Sequence, residues 1–254
     1  MIPLKDENPH PPGFRPVMTI SLIVANTAVF LFEVLATGQL FDFTNRSAFA
    51  MFYSWGAVPN CITGADASLI SFGAGPVSIP CPDVQHLTLL SSIFMHGGLL
   101  HFGGNMLFLW VFGDNIEQKF GRMKFLGIYL AWGVVAGLAH IYGDPTSPIP
   151  AVGASGAISG IMGAYLVLFP RARILTFVGY FLLHIQARWF LPLWLVMQNL
   201  LPYFIGGFGV AGGGTAYLAH IGGFVIGLVT AYAYKKWFEP TPLYGTRYGY
   251  RPDY

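Results

Sequence analysis

Apolar residues run through this chain in long blocks, broken by small groups of charges, prolines and glycine pairs. Dividing the chain at those interruptions leaves six apolar segments, at roughly 17–37, 98–113, 124–142, 153–169, 189–206 and 215–234. Each predicts a helix, and several are short for a bilayer. At about 1.5 Å rise per residue, a 16-residue helix reaches only about 24 Å, against a hydrocarbon core of about 30 Å. Local thinning of the membrane or buried helix ends are implied. Two further stretches are apolar without joining this set. Segment 86–97 stops at Gly97-Gly98 and predicts an interfacial piece leading into the second span. The stretch between Arg173 and Arg188 is either an inner connection or a seventh, tilted or re-entrant element.

Composition turns the segments into membrane spans. Of 254 residues, 13 are basic and 11 acidic, so 9% are charged, about a third of the usual share. That cannot cover a water-facing surface. With 54% apolar and 16% aromatic residues and a mean hydropathy of +0.58, lipid must solvate most of the exterior. The expected fold is therefore an all-α polytopic membrane protein with six transmembrane helices. It divides into an N-terminal tail (1–16), a membrane domain (17–234) with a long loop at 38–97, and a C-terminal tail (235–254). Disorder, collagen and nucleic-acid binding are excluded, and a net charge of +2 argues for no acidic partner. The first apolar run has no small-residue cleavage site behind it and reads as a retained span, not a signal peptide.

Lysine and arginine positions give the expected orientation. With the N-terminus inside, the inner segments hold twelve of the thirteen basic residues, and Arg46 alone lies outside. Both termini are then cytoplasmic in a multi-pass protein of the cell (plasma or inner) membrane. The 38–97 loop lies outside and contains both cysteines, Cys61 and Cys81. An oxidising exterior permits a bridge between them, worth on the order of 3 kcal/mol; two independent thiols are the alternative.

Polar groups inside spans are costly, which makes each a functional candidate. His101 and Asn105 stand one turn apart on one face of the second span, with His96 just before it. The fourth span opens with Gly153-Ala154-Ser155-Gly156, and the sixth carries Ala219-His220-Ile221-Gly222-Gly223. Small residues at this spacing ordinarily serve close helix packing, and a lone span histidine ordinarily serves an interhelical hydrogen bond. Their shared depth favours chemistry instead. Ser155, His101 and His220 all fall within about 10 Å of the expected outer surface. A hydroxyl beside a neutral imidazole is the minimal activated nucleophile, and His101 and Asn105 can donate to a developing oxyanion. No Asp or Glu occurs between Asp144 and Glu239, and Glu33 is the sole acid inside a span, so a serine–histidine dyad is the better reading than a triad.

In combination these motifs resemble the rhomboid family of intramembrane serine proteases. His-x-x-x-x-His-x-x-x-Asn at His96, His101 and Asn105, Gly-x-Ser-Gly at Gly153 to Gly156, and Ala-His-x-Gly-Gly at Ala219 to Gly223 carry the likeness, together with Gly-x-x-x-Glu at Gly113 to Glu117. The resemblance covers about 98–234, and more loosely the whole chain. It implies Ser155 as nucleophile and His220 as general base and then acid. It implies an oxyanion hole from Asn105, His101 and the Ser155 backbone N–H, and the fifth span as a lateral gate. His96, Gly153, Gly156 and Glu117 are supporting positions. Substrates would be single-span membrane proteins cut near the outer membrane face, with no cofactor, metal or nucleic acid involved.

Two positions depart from the family's pattern. Leu87-Thr88 stands where members often carry Trp-Arg, and Ser159 stands where some place an aromatic against the base, leaving the support of His220 unnamed. The alternative reading is a catalytically silent rhomboid-like binding protein or a small transporter. Inactive relatives typically lose the serine or the histidine, and no internal repeat suggests transport. A metalloprotease lacks its His-Glu-x-x-His, and no two spans each carry an aspartate.

Overall fold

The computed structural model describes residues 1–64, 69–71, 76–78, 81, 83–205 and 216–238. The chain starts as strand β1 (Ile2–Asp6) and, after Pro16, enters helix α1 (Val17–Thr37), which ends at Gly38 in the left-handed conformation. The following loop carries helices and strands among its described residues. Helix α2 (Arg46–Trp55) is capped by the Asn45 side chain, which accepts from the Ala48 N–H, and α3 (Pro59–Thr63) begins with proline at its first position. Strands β2 (Leu69–Ser71) and β3 (Pro76–Ser78) pair as an antiparallel hairpin. Cys61 and Cys81 are disulfide-bonded, with Cα atoms 5.5 Å apart.

Segment 86–97 is built from the short helix α4 (Thr88–Ser91) between two tight turns, and it ends at Gly98 with φ +149°. A Cβ at Gly98 would stand 1.8 Å from the Phe41 carbonyl oxygen, so only glycine fits where the loop crosses the start of α5. Helix α5 (Leu99–Phe120) runs seven residues beyond the expected end at 113. Its extra turns carry Asp114, Asn115 and Glu117, whose polar atoms are satisfied by residues near the start of the chain. After Gly121 come α6 (Arg122–Gly143) and α7 (Ser155–Leu168), the latter stopping ahead of Pro170.

The 173–188 stretch is neither a seventh span nor a re-entrant piece. Rich in β-branched and aromatic residues and divided by Gly179-Tyr180, it folds as the hairpin β4 (Arg173–Val178) and β5 (Phe181–Gln186). Strand β1 pairs antiparallel with β4, giving a three-stranded sheet in the order β1-β4-β5. The segment expected to be a plain N-terminal tail is thus partly a sheet strand. The fifth apolar segment is likewise interrupted. Helix α8 (Ala187–Leu195) contains Pro192, passes into a π-turn at Val196–Leu200 and resumes as α9 (Leu201–Ile205). Helix α10 (Tyr217–Phe238) closes the bundle. Residues 206–215 and the tail beyond 238 lie outside the described residues.

Helices α1, α6 and α10 are each long and apolar enough to cross a membrane, and α7 is a shorter apolar helix. Outward positions on the long helices are apolar, among them Val24, Phe32 and Leu35 on α1 and Val225 and Val229 on α10. Faces of that kind belong in lipid. The interior packs around Trp132, Tyr129, Tyr165, Phe112 and Phe190. Its tightest seam joins α7 to α10 backbone to backbone. A Cβ at Gly163, Gly223 or Gly227 would fall 2.0, 2.0 or 1.9 Å from the carbonyl oxygens of Phe224, Gly156 and Gly160 respectively. Glycines at four-residue spacing are what permit that approach.

Candidate active site

Ser155 is the first residue of α7, and His220 lies one turn into α10. The glycine seam between the two helices sets their separation. Ser155 Oγ and His220 Nε2 are 2.7 Å apart, within hydrogen-bonding distance. Both residues are half-buried. Being first in its helix, Ser155 presents a backbone N–H with no intrahelical acceptor, at the positive end of the helix dipole.

Gly153 has φ +125°, a conformation that turns the chain into α7 and strains any L side chain. The space that a side chain would fill belongs to His101. A Cβ at 153 would lie 2.7 Å from both Cε1 and Nε2 of that ring, and 3.6 Å from Asn105 Nδ2. The two donors thus converge over the backbone just ahead of Ser155. His101 Nδ1 accepts from the Gly97 N–H at 3.3 Å, which leaves the proton on Nε2 and makes that nitrogen a donor toward Gly153. Asn105 is buried, and its Nδ2 has no partner among the described residues, so it is an unspent donor beside the serine.

The remaining sequence candidates divide between support of this site and support of the far end of the bundle. His96 is fully buried, packed edge-on against Phe102 and beside the His101 ring at 5.4 Å, and its backbone N–H donates to both Glu33 oxygens at 3.1 and 3.2 Å. Glu33, the one acid inside an expected span, therefore anchors the loop entering α5. Gly156 meets Ala136 on one side, and its carbonyl lies against Gly223 on the other. Glu117 is twelve residues beyond Asn105 on α5, about 18 Å along the axis. There it caps α1, accepting from the N–H groups of Met18 and Thr19 and from the Thr19 hydroxyl at 2.7–2.9 Å. Gly113 makes room for this contact, since a Cβ there would meet Thr19 at 3.0 Å.

One neighbour of the pair was missed in the sequence. His220 Nδ1 is 2.5 Å from Asn199 Oδ1, and the Trp194 ring stands 6.3 Å from the imidazole. Asn199 is a buried amide in a segment that is otherwise apolar apart from the neighbouring Gln198, the kind of residue lipid excludes, and that cost was its only signal. Ser159 is buried one turn after Ser155, and its hydroxyl has no partner among the described residues.

The architecture defines an integral, multi-pass, mostly helical membrane protein with a serine hydroxyl held on an imidazole between two helices. Residues 83–237 match the Rhomboid domain, and the chain belongs to the rhomboid family. It is 34% identical over 168 residues to the rhomboid protease GluP of Bacillus subtilis, covering 65% of this chain and 29% of that protein. It is 29% identical over 161 residues to the mitochondrial rhomboid protein 1 of Saccharomyces cerevisiae, covering 60% of this chain and 43% of that one. The human mitochondrial presenilin-associated rhomboid-like protein is 32% identical over 99 residues, 38% of this chain and 26% of its own. The chain thus spans less than half the length of these relatives. The family includes proteases, and rhomboid proteases act on membrane-protein substrates in the bilayer.

Proposed function

We propose that this protein is an intramembrane serine endopeptidase that cleaves single-span membrane proteins near the outer face, with Ser155 as nucleophile and His220 as general base and then acid. The 2.7 Å approach of Ser155 Oγ to His220 Nε2 carries the reading. As Oγ attacks the scissile carbonyl carbon, its proton passes to Nε2. The oxyanion forms where Asn105 Nδ2, His101 Nε2 and the Ser155 N–H converge, and each such donor is worth roughly 3 kcal/mol. Collapse breaks the C–N bond while Nε2–H protonates the leaving amine. Water, deprotonated by the same nitrogen, then hydrolyses the acyl-serine and restores the hydroxyl.

The outward-facing position of the site follows from the distribution of basic residues, which supports six spans with both termini in the cytoplasm of a cell-membrane protein. Contacts along the chain are consistent with that sidedness. Tyr234, next to Lys235 and Lys236, donates to the Lys119 carbonyl, and Lys5 pairs with Leu175 beside Arg173, so these basic segments gather at one end. The interrupted fifth segment, α8 to α9, is the element suited to act as the gate for a substrate helix.

A fluorophosphonate probe should label the purified protein in detergent, and labelling should vanish in Ser155→Ala and His220→Ala. Labelling that survives Ser155→Ala defeats the assignment and leaves a binding role for the polar cluster.

A further inference from the structure

The chemistry above asks more of His220 than proximity. Its Nε2 must be unprotonated toward Ser155 at the start, so the ring proton must sit on Nδ1 and the imidazole must not rotate. Carboxylates usually enforce this, and among the described residues none bonds to the His220 ring. Of the acids near the bundle, Asp6 is bonded to Asn115 and Tyr165, Glu33 to the His96 N–H, and Glu117 to the start of α1.

We propose that Asn199 is the positioning residue of the catalytic pair, its side-chain carbonyl accepting the Nδ1–H of His220 and holding Nε2 as the acceptor facing Ser155. The inference rests on the reading of Ser155 and His220 as nucleophile and base. Oδ1 and Nδ1 are 2.5 Å apart, Nε2 and Oγ 2.7 Å, so hydroxyl, imidazole and amide form one relay. Asn199 is fully buried, which makes its amide direction a matter of packing and not of solvent. The π-turn at Val196–Leu200 is the means of aiming it. Bonding to the fifth residue instead of the fourth adds a residue to the turn and shifts the phase of the helix, a distortion that recurs at functional sites. Pro192, which leaves one helical carbonyl without its usual donor, loosens the same segment one turn earlier. Trp194 supplies the second wall, its ring beside the imidazole.

A neutral amide suits a site built in lipid. It fixes the tautomer without burying a second charge, which would cost several kcal/mol unless fully paired. It also stabilises the imidazolium formed during attack less than a carboxylate does, so substituting one for the other changes the titration of His220. The other titratable groups acting on that ring are His101 on α5 and His140 on α6, and neither is altered in the variants below.

The test is the rate of fluorophosphonate labelling in detergent as a function of pH, for wild type, Asn199→Leu, Asn199→Asp and the Ser155→Ala control. General-base catalysis is worth about 10²–10⁴-fold, and losing the ring's orientation while keeping the base should forfeit part of it. Asn199→Leu should therefore label about 10–100-fold more slowly at neutral pH while melting near the wild-type temperature. Asn199→Asp keeps the acceptor and should recover most of the rate at alkaline pH. Its acidic limb should move up by about one pH unit or more, because the carboxylate favours the protonated imidazole. A wild-type rate in Asn199→Leu, or a profile of Asn199→Asp that superimposes on wild type, overturns the proposal and leaves the serine assignment standing. Labelling that survives Ser155→Ala overturns both. Should Asn199→Leu fail to fold, the Asn199→Asp profile and the ¹⁵N spectrum of histidine-labelled wild type decide. A proton on Nδ1 of His220 supports the role, and one on Nε2 overturns it.

Discussion

Gly223 of α10 lies directly against the carbonyl oxygen of Gly156 on α7, so close that a Cβ at 223 would stand 2.0 Å from it. The contact sits three residues after His220 and one residue after Ser155, so the distance between hydroxyl and imidazole is set by two backbones that touch. Gly223→Ala should force the helices apart. Overpacking of this kind costs about 1–3 kcal/mol or more, and here it also lengthens the Ser155–His220 contact. The expected result is a lower melting temperature together with a labelling rate reduced at least tenfold. Gly127→Ala on α6, where a Cβ meets nothing within 4 Å, should change neither. Equal behaviour of the two variants would show that the seam does not set the Ser155–His220 distance.

Asn105→Ala removes an amide nitrogen that is buried and has no partner among the described residues. Because no described residue accepts from that donor, the melting temperature should hardly change. Turnover of a transmembrane substrate should fall by a factor of about 100, the usual loss for a single oxyanion donor. Unchanged turnover would return Asn105 to a packing role.

Glu117→Ala should produce the opposite division. The carboxylate holds three donors at the start of α1, and their loss should destabilise the protein by about 1–3 kcal/mol. The labelling rate per folded molecule should stay within about twofold of wild type, since the residue is about 18 Å along α5 from Asn105. A large loss of rate at unchanged stability would contradict this placement.

The attachment of β1 should depend on pH. Burial raises the Asp6 carboxyl to about 6, against the opposing pull of its bonds to Tyr165 and Asn115. For His10, burial acts downward, but the bonds to Gln118 and Asp114 outweigh it and hold the imidazole above its ordinary value. The two shifts act in one direction. As pH falls through about 6, folded Asp6 takes up a proton that the unfolded chain does not yet bind, and stability is gained. The His10 contribution is fully present below its unfolded value and is lost as pH rises through the folded one. Asp6→Asn imitates the protonated acid, so it should melt above wild type at pH 7.5, with the difference shrinking toward pH 5. A difference independent of pH would show that Asp6 does not titrate in this range.

Much of the fold is legible in the sequence because lipid is an unforgiving solvent. Each of the six apolar blocks contains helix, since a bilayer tolerates little else, and the same intolerance made Ser155, His101, Asn105 and His220 conspicuous. What was hidden depends on partners far along the chain. Asp114 and Glu117 looked like the end of a span, yet their polar atoms are satisfied by His10 and Thr19, and α5 continues past them. Ile2–Asp6 shows no strand signal of its own and becomes a strand only against β4. Asn199 faces His220 through a π-turn, whose phase no helical periodicity reveals.

That sheet also sets an order of events. Ile2 pairs with Phe177, so β1, once made, must wait for about 170 further residues before its partner exists. At about 5–20 residues per second the wait lasts on the order of ten seconds or more, during which α1, α5, α6 and α7 are made. The sheet is therefore a late closure in biogenesis, and it ties β1 to the segment between α7 and α8 after Ser155 has already been synthesised.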